Sequence, residues 1–215
     1  MKLEWIGHAC FKLTANDGTT VITDPYDASV GIDMLPLEAD LITMSHEHHD
    51  HNETGMIVGK PVIVHGNAPA GVGSVQSRAV LSYHDDAMGA KRGPNAIRIF
   101  ELDGLKAVHM GDQGCMPDEA ALEAIAGADV MMIPVGGTYT VDAEEAKAII
   151  RCAKPACVIP MHVKTKRCPY PIETVDRFLQ VMGAENSCAV KALDIQKGCV
   201  PAGVVLMQPL ADALK

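Results

Sequence analysis

Residues 45–52 read SHEHHDHN, directly after the apolar run ADLITM at 39–44. Four histidines and an aspartate fall between His46 and His51. A lone histidine behind an apolar strand is usually a satisfied core residue. This many titratable groups cannot be buried unpaired, because each carries a desolvation cost. Either the segment is solvated or a positive species binds it, and the apolar strand that feeds it favours binding. Neutral imidazole with carboxylate is a donor set suited to zinc, manganese or iron. The frame is H-x-H-x-D-H, formed by His46, His48, Asp50 and His51. His46 and His48 are two apart and point the same way in an extended segment, so one ion can take both. Asp50 and His51 follow where the strand ends, and a turn there could aim them at a second ion. His49 points away under strict alternation.

Around this segment the first half of the chain reads as strands: 2–6, 9–14, 19–23, 40–44, 61–64, 78–82, 96–102 and 105–110. Asn16-Asp17-Gly18 and Asp103-Gly104 are hairpin turn signals. Helices follow later. Pro117 with Asp118 and Glu119 opens one that Gly127 closes. Asp142 and Glu145 make a capping box for a second. A third spans 172–182, with Ile172, Val175, Phe178, Leu179 and Met182 on one face. Short strands at 129–134, 156–160, 189–193 and 203–207 alternate with the helices. The pattern implies two packed sheets with helices outside.

The 215 residues, 48% of them hydrophobic, are read as a single domain, 1–215, with a large core. No apolar run reaches the roughly 18–20 residues of a membrane span. The N-terminus lacks the apolar block of a signal peptide, so a cytoplasmic protein is expected. Seven cysteines, with no C-x-x-C pair, are expected to be free and mostly buried thiols. The net charge of −9 argues against a nucleic acid partner.

The motif residues carry a resemblance. SHEHHDHN resembles the signature of the metallo-β-lactamase superfamily, and other segments follow in order. Asp24 in TDPY, His84 in SYHDD, Asp112 in HMGDQG and His162 in PMH resemble that family's further site residues. With GHACF, KRGPN and PVGGTYT they resemble its compact Zn-dependent hydrolase branch, which includes enzymes similar to ascorbate-6-phosphate lactonase. The resemblance implies an α/β fold, a four-layer αββα sandwich with the site between the sheet edges. It implies that His46, His48 and His84 hold one ion, that Asp50, His51 and His162 hold another, and that Asp112 bridges them. The implied cofactor is two divalent ions, Zn2+ or else Mn2+ or Fe2+.

Two such ions share a water and lower its pKa from 15.7 toward neutrality, which implies a hydrolase acting through a metal-bound hydroxide. The expected substrate is a small molecule with an ester, lactone, amide or phosphodiester bond. Asp50 is the candidate for steering the hydroxide and taking its proton. Asp24 is expected behind the ligands, accepting an N–H from a histidine. His8 stands between a place at the site's rim and a structural hydrogen bond. His109, inside LKAVHM, is expected in the core or behind a ligand, and His65 is expected to be structural. Arg92 either receives phosphate or carboxylate, making the substrate anionic, or pairs with Asp85 or Asp86. Asp85 and Asp86 are candidates for ordering their loop. Tyr139 either donates to an oxyanion or packs. Lys164, Lys166 and Arg167 either attract an anion or form a solvated loop. Two rivals keep the same motif: a mononuclear iron oxygenase of the superfamily, and a metal-binding protein without turnover.

Overall fold

The structure, a computed structural model, describes residues 1–210. Its strands are β1 (Lys2–Gly7), β2 (Cys10–Thr14), β3 (Thr20–Thr23), β4 (Leu37–Glu38), β5 (Leu41–Met44), β6 (Ile57–Val58), β7 (Val62–His65), β8 (Ala70–Val72), β9 (Val75–Tyr83), β10 (Pro94–Leu102), β11 (Leu105–His109), β12 (Val130–Pro134), β13 (Cys157–Met161), β14 (Leu193–Asp194) and β15 (Gly203–Val204). One sheet has the order β14-β1-β2-β3-β5-β7 and the other β15-β13-β12-β11-β10-β9-β8, while β4 pairs with β6 alone. Both hairpin signals hold: β2 turns into β3, and β10 into β11, each antiparallel.

Strand direction places the site. In the first sheet β1, β2 and β3 alternate, and β3, β5 and β7 run parallel. Hence β1, β3 and β5 all end at one edge. In the second sheet β9, β10 and β11 alternate, and β11, β12 and β13 run parallel. Hence β9, β11, β12 and β13 also share an edge. The residues that follow these strands include His8, Asp24, 45–51, His84, Asp112, Tyr139 and His162, so one side of the molecule carries every candidate site loop.

Alternation sorts the side chains of the first sheet. Leu3, Phe11, Leu13, Val21 and Leu41 join the core shared with the second sheet. Ile6, Cys10, Ile22, Ile42 and Met44 face the other way, into a separate cluster with Tyr26, Val30, Ile32 and Met34. The second sheet is apolar on both faces, as β11 and β12 require between the first sheet and the helices. Those helices are α1 (Glu119–Ile125), α2 (Ala143–Ala153) and α3 (Val175–Met182). Asp118 caps α1, the capping box of Asp142 and Glu145 opens α2, and Gly183 closes α3 in the left-handed conformation.

The sandwich is as expected, with one local difference. The cluster outside the first sheet contains no α-helical residue among those described. A 3-10 turn at Ala28–Val30 and the chain around the β4–β6 pair cover that face instead. Pro25, Gly31 and Pro36 break any helical run there. Strands expected at 189–193 and 203–207 shrink to two-residue pairings. The cysteines are free, but they are less buried than expected: Cys152, Cys188 and Cys199 are exposed. Among the described residues no helix is long and apolar enough to cross a membrane.

Leu41, fully buried between the sheets, begins β5, the strand that runs into the histidine segment. Leu41→Ala is expected to cost about 2–5 kcal/mol of stability by urea unfolding. A cost below about 1 kcal/mol would mean that the inter-sheet core does not hold this strand.

Candidate metal centre

Three loops of the first sheet and three of the second converge. His46 Nε2 and His48 Nδ1 stand 3.1 Å apart. The His84 ring lies 4.8 Å from that of His46 and 5.1 Å from that of His48. Donor atoms of His8, Asp50, His51 and His162 form a second group. Asp112 stands between the two groups. Its Oδ2 is 3.3 Å from His51 Nε2, 3.2 Å from His84 Nε2 and 3.3 Å from His162 Nε2. Two nitrogens on one tetrahedral ion at the usual bond length stand roughly 3.3 Å apart, close to these separations.

A buried carboxylate decides which ring nitrogens are free. Asp24 accepts from Ser45 N–H at 2.8 Å and from the Ser45 hydroxyl at 2.5 Å. Because that hydroxyl spends its proton on Asp24, it must accept from His46 Nδ1 at 2.9 Å. His51 Nδ1 donates directly to Asp24 at 2.9 Å. In the neutral rings Nε2 of both histidines therefore keeps its lone pair and faces the centre. Asp24 thus accepts an N–H from His51, and Ser45 extends its reach to His46. Ser45 was not singled out from the sequence; its place directly before the motif was the available signal.

Asp112 is held by a tight turn. Its N–H donates to Asn95 Oδ1 at 3.0 Å, and Asn95 Nδ2 donates to Met110 O at 2.9 Å. Gly111 has φ +56°, and a Cβ there would lie 2.2 Å from Asn95 Oδ1. His109 is structural: Nε2 donates to Ala9 O at 2.7 Å, and Nδ1 accepts from Gly111 N–H at 3.2 Å. It joins the two sheets beneath the centre. Asn95, a polar residue inside an apolar strand, is a second residue that the sequence reading passed over.

A cleft of about 270 Å³ opens onto the two groups, with Asp50, Arg92, Tyr139 and Tyr170 in its wall. The Arg92 guanidinium stands 5.4 Å from the Tyr139 ring centre and donates to Thr138 O at 3.4 Å. Its suggested pairing with Asp85 or Asp86 is not what the structure has. Asp85 accepts backbone N–H groups of Ala87, Gly89, Lys91 and Arg92, and Asp86 pairs with Lys91. Asp85 therefore orders the loop as expected. Lys164 donates to Tyr170 O and Arg167 pairs with Asp33. His65 pairs with Glu47, and exposed His49 lies 3.3 Å from Asp27.

The donor set fits divalent metal. His51 Nε2 and Asp112 Oδ1 are buried and have no hydrogen-bond partner. Burial opposes charge on His51, yet Asp112 and Asp24 on either side hold its pKa well above the ordinary value. Burial opposes ionisation of Asp112, yet His162 and His51 hold its carboxyl well below the usual range. An imidazolium between two carboxylates is the arrangement that a divalent cation relieves, releasing the proton.

This sandwich and these donors are of the metallo-β-lactamase type. The β-lactamase superfamily domain matches residues 2–162, and the chain belongs to that superfamily. A UPF0173 metal-dependent hydrolase of Methanoregula boonei is 30% identical over 188 residues, covering 77% of this chain and 83% of that protein. One of Thermoplasma acidophilum is 28% identical over 190 residues, covering 77% and 84%. The crystal structure of a candidate Zn-dependent hydrolase of the metallo-β-lactamase superfamily from Thermotoga maritima is 32% identical. It superimposes with a TM-score of 0.80 over 96% of this chain and 97% of that one.

Burial, with the charge of neighbouring histidines, lowers His8 to about 4 and His46 to about 3. The unfolded chain protonates both near pH 6.5, so between roughly pH 4 and 6.5 it holds more protons than the fold. Stability of the metal-free protein is therefore expected to rise with pH across that window and to be lost on acidification. Urea unfolding at stepped pH measures it, and a flat or falling profile would contradict the neutral, buried histidines.

Proposed function

We propose that the chain hydrolyses an ester, lactone, amide or phosphodiester bond of a small anionic molecule. In this reading His46, His48 and His84 hold one divalent ion, Asp50, His51 and His162 hold a second, and Asp112 touches both. Zinc is the expected ion, with manganese or iron as alternatives of similar donor preference. The observation that carries the reading is Asp112 Oδ2, within 3.3 Å of three imidazole nitrogens from three separate loops.

Divalent ions at these donors supply Lewis acidity and a water of lowered pKa. The chain's own groups do the rest. Asp50, with its side chain 15% exposed, reaches the cleft and accepts the proton of the attacking water. Asp24 holds His51, and Ser45 holds His46, so that neither ring rotates its lone pair away. Arg92 lines the cleft and has no carboxylate partner among the described residues. Its planar fork suits a phosphate or carboxylate on the substrate. Tyr139 lies beneath the guanidinium and orients it, and its hydroxyl donates to the oxygen that gains charge.

The test is a panel of lactones, carboxylate esters and phosphodiesters, each offered with and without a phosphate or carboxylate handle. The metal-loaded protein is expected to turn over at least one anionic member, and chelation is expected to abolish it. Arg92→Ala is expected to raise KM for that member about tenfold or more and to leave its neutral analogue unchanged. Equal effects on both would remove the anion preference. No turnover of any member by the loaded protein would oppose the hydrolase reading itself.

A further inference from the structure

We propose that His8 is a further metal-binding side chain, its Nε2 joining Asp50, His51 and His162 around the second ion. The inference rests on the metal-centre reading above and adds a donor to it. Donor atoms of these four residues lie within 4.8 Å of one another. His8 Nε2 is buried and has no hydrogen-bond partner, although Asp50 Oδ2 stands 3.4 Å away. Both groups belong to one cluster of four donors, and their contact at 3.4 Å is longer than an ordinary hydrogen bond.

His109 supplies the contrast. That histidine is also buried, and backbone groups occupy both of its ring nitrogens. A histidine retained for packing finds such partners. His8 instead turns its Nε2 toward the centre. Its ring packs against that of His162, with centroids 4.1 Å apart. Its carbonyl accepts from Trp5 Nε1–H at 3.0 Å and from His162 N–H at 3.1 Å. These bonds hold it at φ 52°, a left-handed conformation unusual for a residue with a side chain. Strained backbone of this kind persists where the surroundings over-determine it, and it clusters at functional sites.

The consequence is asymmetry between the two ions. The first has His46, His48 and His84, and His48 is exposed. The second gains His8 and is enclosed by protein donors. The first ion is then the one with open positions for substrate, and the second is the tighter.

Cobalt(II) is the probe. It is titrated into metal-free wild type, His8→Gln and His8→Asn, the last because Asn tolerates the left-handed conformation. Visible absorption reports affinity, proton NMR reports hyperfine-shifted imidazole N–H signals, and circular dichroism of the metal-free proteins reports folding. Both variants are expected to hold the tighter cobalt at least about tenfold more weakly and to lack one shifted imidazole signal. Folded variants with wild-type affinity and an unchanged set of shifted signals would overturn the proposal and leave His8 as packing. If neither variant folds, the wild-type signals assigned with 15N-histidine decide: His8 among the shifted rings supports it, and His8 outside them overturns it. A wild type that takes up no cobalt would overturn the metal-centre reading, and this proposal with it.

Discussion

One buried carboxylate sets the terms for the rest of the molecule. Asp112 is ringed by His51, His84 and His162, each with Nε2 turned toward the same oxygen. His51, whose Nδ1–H is committed to Asp24, can offer Asp112 only a lone pair when neutral, so that contact calls for positive charge between them. Without metal, the proton on His51 supplies part of that charge. In the proposed reading the same donors would serve as ligands to metal. The local folding follows from this constraint: Asn95 and Gly111 fix the turn that carries Asp112, and His109 ties that turn to the opposite sheet.

Strand direction turns distant sequence positions into one site. The strands that end beside the centre all run toward the same side, three from one sheet and four from the other. The chain tightens sharply at these ends. His8, Asp24 and His162 all have positive φ, between 40° and 52°. A strand that simply continued would carry each of these side chains onward past the centre. The left-handed step turns them in, and the hydrogen bonds of His8 O and Asp24 hold that step in place.

The candidate donors were legible because their chemistry is concentrated. No solvated loop or apolar strand needs H-x-H-x-D-H, and His84, Asp112 and His162 each follow a recognisable strand. The supporting residues were less legible. Ser45 and Asn95 are single polar residues at the end of, or inside, apolar runs, and their meaning depends on partners about 20 and 15 positions away. Arg98 is similar: buried in β10, it donates to Gly66 O and Ala68 O, a role no local pattern announces. KTKR left open an anion site or a solvated loop, and in the structure Lys164 donates to Tyr170 O while Arg167 pairs with Asp33. The α-helix expected outside the first sheet gave way to irregular chain because Pro25, Gly31 and Pro36 sit where it would run.

The central claim is that Asp112 joins two ions in one centre. The most direct test is metal content per chain by mass spectrometry, on wild type and Asp112→Ala purified without added metal. The account predicts about two divalent ions in the wild type and a clear loss in the variant. A single iron per chain, or no metal even after reconstitution of folded protein, would contradict it.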